Sequence, residues 1–305
     1  MSLFENSPPD ADQGYLNIRT AKDDTEREIH DALEILWARY EPYADTYFRD
    51  KFARQPDAHF WEMYLTTQLL EAGKNVRPRT EITAADRDVG PDICIVEDDF
   101  KIWIEATAPE PGNPANPDQV PEVIPISEGG GAQSSPRRQV ELRITGALFE
   151  KTRKIELYRD QGIIGENDIC VVAVSGTNFH AQSAAAGLPL AVTAVYPFGD
   201  QFVTFNRDTF DVVDSAYHHS ESIDRSDADP IPRYAFLNER FSSVSGLIWS
   251  RQTIGNFFYQ PHDFTFVHNS IANPQFPRRW LEWAEEDIVD EIGDQVELTR
   301  LFPQE

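Results

Sequence analysis

The chain has 305 residues, with 52 Asp and Glu against 27 Lys and Arg and a formal charge of −25. Its 40% hydrophobic and 26% charged content is that of a soluble globular protein with one large domain or two small ones. The acidity works against loose binding to a phosphate backbone, which needs clustered Lys and Arg.

No apolar run reaches the roughly 18 residues of a membrane span. The opening MSLFENSPPDADQG lacks the basic and then apolar order of a secretory signal, so a cytoplasmic protein with no membrane partner is expected. Residues 1–20, rich in Pro, Asp, Ser and Asn, read as a flexible tail. The remainder, 21–305, reads as a single α/β domain, a mixed sheet with flanking helices. Its core runs over about 57–175, and a β-rich extension fills 176–305.

In chain order, TEREIHDALEILWARY predicts a helix over about 24–40, with Ile29, Leu33, Leu36 and Trp37 on one stripe. A second helix is expected from about Asp57 to Ala72, with Gly73 as its stop. EIT at 81–83 is a weak strand signal. DICIVE at 92–97 and KIWIEATA at 101–108 are stronger, and Asp98-Asp99 between them predicts an antiparallel hairpin. Residues 109–136 are rich in Pro and Gly and have no period. Loops this long in a compact domain are usually functional or disordered. The longest helix is expected over about 136–161, closed by Gly162, followed by a strand at 168–175. Beyond it LAVTAVYP, DQFVTF, VSGLIWS and FTFVHN read as strands, His218 to Pro232 as a polar loop, and about 277–291 as a last helix. The two cysteines, Cys94 and Cys170, fall in strand-like runs and read as small buried apolar residues.

Three acids stand out. Asp92 opens a strand after Gly90-Pro91. Glu105 sits among Ile102, Trp103 and Ile104, where a carboxylate tolerates burial only if paired, protonated or bound to a cation. Adjacent hairpin strands can bring two such oxygens to one hard divalent ion. Glu62 shares a helix face with Leu65, Thr66 and Leu69. For each acid alone, an ordinary solvated position is the competing reading.

Taken together, Glu62, Pro91-Asp92 and Glu105-Ala106-Thr107 resemble the motif of the PD-(D/E)XK nuclease-like superfamily. In that superfamily a helix glutamate precedes a Pro-Asp at a strand start and a (D/E)-x-K on the next strand. The order of elements to about residue 175 also fits. FWEMYLTTQLLEAG, GPDICI, WIEATAPEPG, EGGG, RRQVELRITGALFEK, SGLIWS and FVHNS resemble an uncharacterised bacterial family with that core, over most of 57–285.

The resemblance implies metal-dependent hydrolysis of nucleic acid. Mg²⁺ or Mn²⁺ would be held by Asp92, Glu105, the Ala106 carbonyl and Glu62, with Arg143 on phosphate. One departure is clear: Thr107 stands where the superfamily has its lysine. Lys151 and Lys154, which share a helix face with Ala147 and Tyr158, are candidates to replace it. Lys154-Ile-Glu-Leu-Tyr158 also resembles the Q-h-x-x-Y motif of some related nucleases, with Lys for Gln.

The competing reading is a catalytically silent member of the fold, a binding or assembly module whose acidity suits a protein partner. Arg137, Arg138, Arg143, Lys151, Arg153, Lys154 and Arg159 form a basic concentration that is either a solvated helix face or a phosphate-facing patch. Glu128-Gly-Gly-Gly131 lacks the ending of a P-loop. His218-His219 read as solvated and His268 as a structural hydrogen-bonding group.

Overall fold

A computed structural model describes residues 1–82, 90–122, 124, 130–131, 135–179, 187–259, 263–292 and 295–303. The N-terminal half begins with helices α1 (Gln13–Thr20), α2 (Asp24–Tyr40), α3 (Phe48–Arg54), α4 (Pro56–Glu71) and α5 (Arg79–Ile82). Asp23 starts α2 by accepting a hydrogen bond from Glu26 N at 2.8 Å. Pro56 occupies the first turn of α4, where its missing N–H costs nothing. Gly73 then leaves the helix at φ +72°, a conformation that suits glycine.

The sheet begins with β1 (Ile93–Val96) and β2 (Lys101–Thr107), paired antiparallel with Ile93 opposite Ile104. The long helix α6 (Arg137–Asp160) carries the chain to β3 (Ile169–Ser175), which lies parallel to β2. After α7 (Leu190–Val195) comes a separate two-stranded ribbon of β4 (Phe198–Phe205) and β5 (Val212–His219). A small pair follows, β6 (Ser222–Ile223) and β7 (Ile231–Pro232). Strands β8 (Gly246–Ser250), β9 (Phe264–His268), β10 (Glu285–Ile292) and β11 (Gln295–Leu301) complete the main sheet. Its order is β1-β2-β3-β8-β9-β10-β11, seven strands of mixed direction.

Strand alternation divides the core between the two faces of this sheet. Ile93, Ile95, Ile102, Ile104, Val171 and Phe266 pack with α2 and α4 on one face. Cys94, Trp103, Cys170, Val172, Leu247 and Val267 pack with α6 and α7 on the other. The fold is therefore α/β with helices on both sides of the sheet. Both cysteines are free and buried, as expected.

Five expectations need correction. Residues 1–20 are not a loose tail, because Leu3, Phe4 and Tyr15 are buried and the Trp37 indole donates to the Met1 carbonyl at 2.7 Å. LAVTAVYP is helical over 190–195. A run with a single polar residue, Thr193, has no period to separate strand from helix, and here Pro189 leads into one helical turn and a half. The last helix does not form; that stretch ends in β10, which pairs with β9 and β11. Residues 81 and 82 close α5, whereas Thr83 lies outside the described residues. The loop expected at 218–232 also contributes the end of β5 and the β6–β7 pair. The C-terminal extension is continuous with the core, since β3 and β8 are neighbours in one sheet. No helix of the described residues is long and apolar enough to cross a membrane.

Candidate functional site

An open cleft of about 670 Å³ lies beyond the carboxyl ends of the parallel strands β2 and β3, a common ligand position in α/β sheets. Its walls include Glu62 and His59 of α4, Asp92, Ala106 and Thr107 of the hairpin, and Lys151 and Lys154 of α6.

The hairpin register explains why two acids meet. Ile93 opposite Ile104 and Cys94 opposite Trp103, continued by one residue, set Asp92 across from Glu105. Both then point to the α6 face, the face of Cys94 and Trp103. The Ala106 N–H donates to Asp92 Oδ2 at 2.8 Å and locks that carboxylate onto β2. Glu62 arrives from the opposite layer because α4 is tied to the end of β3, where the Trp61 indole donates to the Ala173 carbonyl at 3.0 Å. The Tyr40 hydroxyl donates to Glu62 Oε1 at 2.8 Å.

Glu105 is only 2% exposed. Its Oε2 accepts from Lys151 Nζ at 2.7 Å, and Lys154 Nζ stands 3.9 Å from the same oxygen. A carboxylate this deep needs such a partner. Burial, with Glu105 and then Glu62 adding like charge, pushes the Asp92 carboxyl up to about 7 against the pull of Lys151 and Arg79. Burial alone would lower the Lys151 ammonium, but Glu105 and Asp92 beside it hold it above the ordinary lysine value. Burial and the same two carboxylates push the Tyr158 phenol up to about 12.

The structure thus brings Glu62, Asp92, Glu105, Ala106, Lys151 and Lys154 to one cleft. Arg143 is not among the residues lining it. Its guanidinium packs against the turn at Gly112, where an added Cβ would sit 3.0 Å from Nη1. Arg137 and Arg138 are engaged elsewhere, with Glu141 and Asp118. Glu128 and Gly129 lie outside the described residues. His218 and His219 are exposed on β5, and His268 is a buried partner of Glu286 at 3.0 Å.

Three contributors carried no conspicuous signal in the sequence. His59 lies one helical turn before Glu62, and its spacing of three residues is the clue that was there to read. Tyr40 and Arg79 reach the site from distant segments. Arg79 Nη1 is 3.9 Å from Asp92 Oδ1 and also donates to the Pro91 carbonyl.

The donor set is oxygen-rich, and its acids are held by fixed elements, which fits a hard divalent cation. Among the described residues no group of three or more His, Cys, Asp or Glu side chains is placed to hold a metal ion. A Mg²⁺-type ion does not require one, since it is usually bound by one or two carboxylates with waters and substrate phosphates. Comparison with family models, curated proteins and solved structures gives no match.

Proposed function

We propose that this chain is a metal-dependent phosphodiesterase of the PD-(D/E)XK nuclease type. The observation that carries the reading is the buried Lys151–Glu105 contact at 2.7 Å, set beside Asp92 and Glu62 in an open cleft. Lys151 of α6 would then serve in place of the motif's lysine, where this chain has Thr107.

In this reading Asp92, Glu105 and the Ala106 carbonyl hold Mg²⁺ or Mn²⁺, and Glu62 holds the ion or its water. The ion supplies a lowered water pKa and charge neutralisation at the phosphate. Lys151 orients the attacking water and contributes positive charge beside the phosphate. Its buried stem and its bond to Glu105 hold the ammonium in one place before substrate arrives. Lys154, at the cleft rim with 45% of its side chain exposed, suits an outer phosphate contact. Tyr158, on the same helix, feels the charges of Glu105 and Asp92.

Calorimetric titration of Mn²⁺ into the metal-free protein and into Glu105→Gln tests the metal site, and hydrolysis of DNA and RNA with Mg²⁺ tests the activity. The reading expects saturable binding lost in Glu105→Gln, and cleavage lost in Lys151→Met. Absence of binding to the wild type, with and without nucleic acid, overturns it. A second reading, a silent binding module for a protein partner, is favoured by Thr107 and by the net charge of −25. It expects wild-type protein without cleavage of either nucleic acid.

A further inference from the structure

Arg79 meets the site from behind. It is not among the residues lining the cleft, and its side chain is 12% exposed, so it is placed to act on Asp92 rather than on a ligand. Its position follows from the sheet. β1 is the edge strand, and residues 75–77 run along its outer side. Val76 bridges antiparallel to Ile95, the Arg77 N–H donates to the Cys94 carbonyl at 2.8 Å, and the Val96 N–H donates to the Asn75 carbonyl at 3.0 Å. The same register, continued by three residues, sets Arg79 beside Asp92. There the guanidinium grips the chain just before the acid. Gly90 and Pro91 are buried and precede the first laddered residue of β1, Ile93. Pro91 has no N–H to offer a ladder. Buried carbonyls need donors, and these two share one guanidinium. Arg79 Nη1 donates to Pro91, and Nη2 donates to Gly90 at 3.4 Å. Nη1 also stands 3.9 Å from Asp92 Oδ1, while Oδ2 is held by the Ala106 N–H at 2.8 Å.

We propose that Arg79 is a positioning residue for Asp92: its guanidinium clamps the Gly90–Pro91 corner so that the carboxylate stands in its ion-binding geometry before an ion arrives. The fork of the side chain, not its charge, is what the site uses. Charge argues the other way, because a cation 3.9 Å from a ligand oxygen repels an incoming ion, and its removal would tighten binding. The two effects have opposite signs, so the role can be measured. Lysine at this position keeps the charge and loses the planar fork that spans two carbonyls.

This role rests on the reading of the cleft as a cation site, and the test separates the two. Mn²⁺ is titrated by calorimetry into metal-free wild type, Arg79→Lys and Arg79→Met, and thermal unfolding of each is followed in the same buffer. Loss of a partner that orients a metal ligand costs about 10–100-fold in metal affinity. Both variants are therefore expected to bind Mn²⁺ at least about tenfold more weakly than wild type, at unchanged stoichiometry. Wild-type affinity in Arg79→Lys, or tighter binding in Arg79→Met, leaves Arg79 only its charge and overturns the clamp. A lowered melting temperature with Mn²⁺ affinity unchanged assigns Arg79 to fold stability alone and overturns it as well. These results leave the proposed function standing, since wild type still binds the ion. No Mn²⁺ binding to wild type, with and without nucleic acid, removes both. If Arg79→Met does not fold, Arg79→Lys decides: binding about tenfold weaker supports the clamp, and wild-type affinity overturns it.

Discussion

Two buried glutamates served by α6 show how differently a fold can treat the same side chain. Glu141, in the first turns of the helix, is 1% exposed. Its Oε1 accepts from Thr193 Oγ1 at 2.6 Å and Arg137 Nε at 3.1 Å, and its Oε2 accepts from Arg233 Nη2 at 2.7 Å. Two guanidiniums and a hydroxyl thus close around one carboxylate. Glu105 is equally buried, but it sits beside Asp92, and its partner Lys151, further along the same helix, lines an open cleft together with Asp92 and Glu62. Burial of an acid is thus no sign of function in itself. Carboxylates left incompletely balanced beside an opening are the informative feature, because such a site gains most from an added cation.

The contrast can be broken by mutation, and the largest effect is expected at the balanced end. Glu141→Ala leaves Arg233 and Arg137 facing each other with no anion between them. Breaking a buried pair in this way costs about 3–5 kcal/mol. Thermal and denaturant unfolding should register that loss with or without Mn²⁺. A loss of under about 1 kcal/mol, the ordinary range of an exposed pair, would place Glu141 among solvated ion pairs instead.

Lys151→Met is the corresponding cut at the other end. It leaves the deeply buried Glu105 with Lys154 at 3.9 Å as its remaining ammonium and Asp92 still close by. Destabilisation of about 2–3 kcal/mol is expected in metal-free buffer, somewhat less than at Glu141 because Lys154 can swing inward. Here Mn²⁺ should restore much of the loss, since an ion at Glu105 replaces the missing charge. A melting temperature indifferent to Mn²⁺ would count against the cation reading of this cleft.

Asp92→Asn should act in the opposite direction. A carboxyl raised in the folded state to about 7 binds its proton more tightly there than in the unfolded chain. Stability is then lost as pH rises from the ordinary carboxylate range through about 7, and it stays low above that. An isosteric amide can still accept the Ala106 N–H and removes the repulsion. The metal-free variant is expected to be more stable than wild type by on the order of 2 kcal/mol at pH 8, with the gap closing towards pH 4. Destabilisation at pH 8 would mean that Asp92 is a structural acceptor whose charge the fold uses.

Much of the Glu105 end was legible in the sequence, and the Glu141 end was not. The β1–β2 hairpin announces itself by alternation and by the Asp98-Asp99 turn, so the sequence alone pairs Asp92 with Glu105. The α6 lysines follow from helical spacing. Arg137 and Arg138, by contrast, read only as part of a basic run, because their partners Glu141 and Asp118 and the third member Arg233 are joined by tertiary contact. Tyr40 and Arg79 escaped for the same reason. The errors at 190–197 and 277–291 share another cause. A mostly apolar run and an acidic run rich in tryptophan each lack a decisive period, and sheet pairing or packing decided their form.

The smallest effect sharpens the comparison within α6 itself. Lys151 and Lys154 stand on one face and approach the same Glu105 oxygen, yet one side chain is 10% exposed at 2.7 Å and the other 45% exposed at 3.9 Å. An exposed ammonium at that separation is screened by water and salt, and its contribution to stability is about 0–0.5 kcal/mol. Lys154→Met should therefore leave unfolding almost unchanged, while Lys151→Met does not. If Lys154 instead serves substrate phosphate, the variant should show a raised KM for nucleic acid with kcat retained, and the shallower salt dependence expected when a phosphate contact is lost. Equal stability losses in the two variants would mean that the lysines share Glu105 between them, and the division of α6 into a buried pairing lysine and a rim lysine would fail.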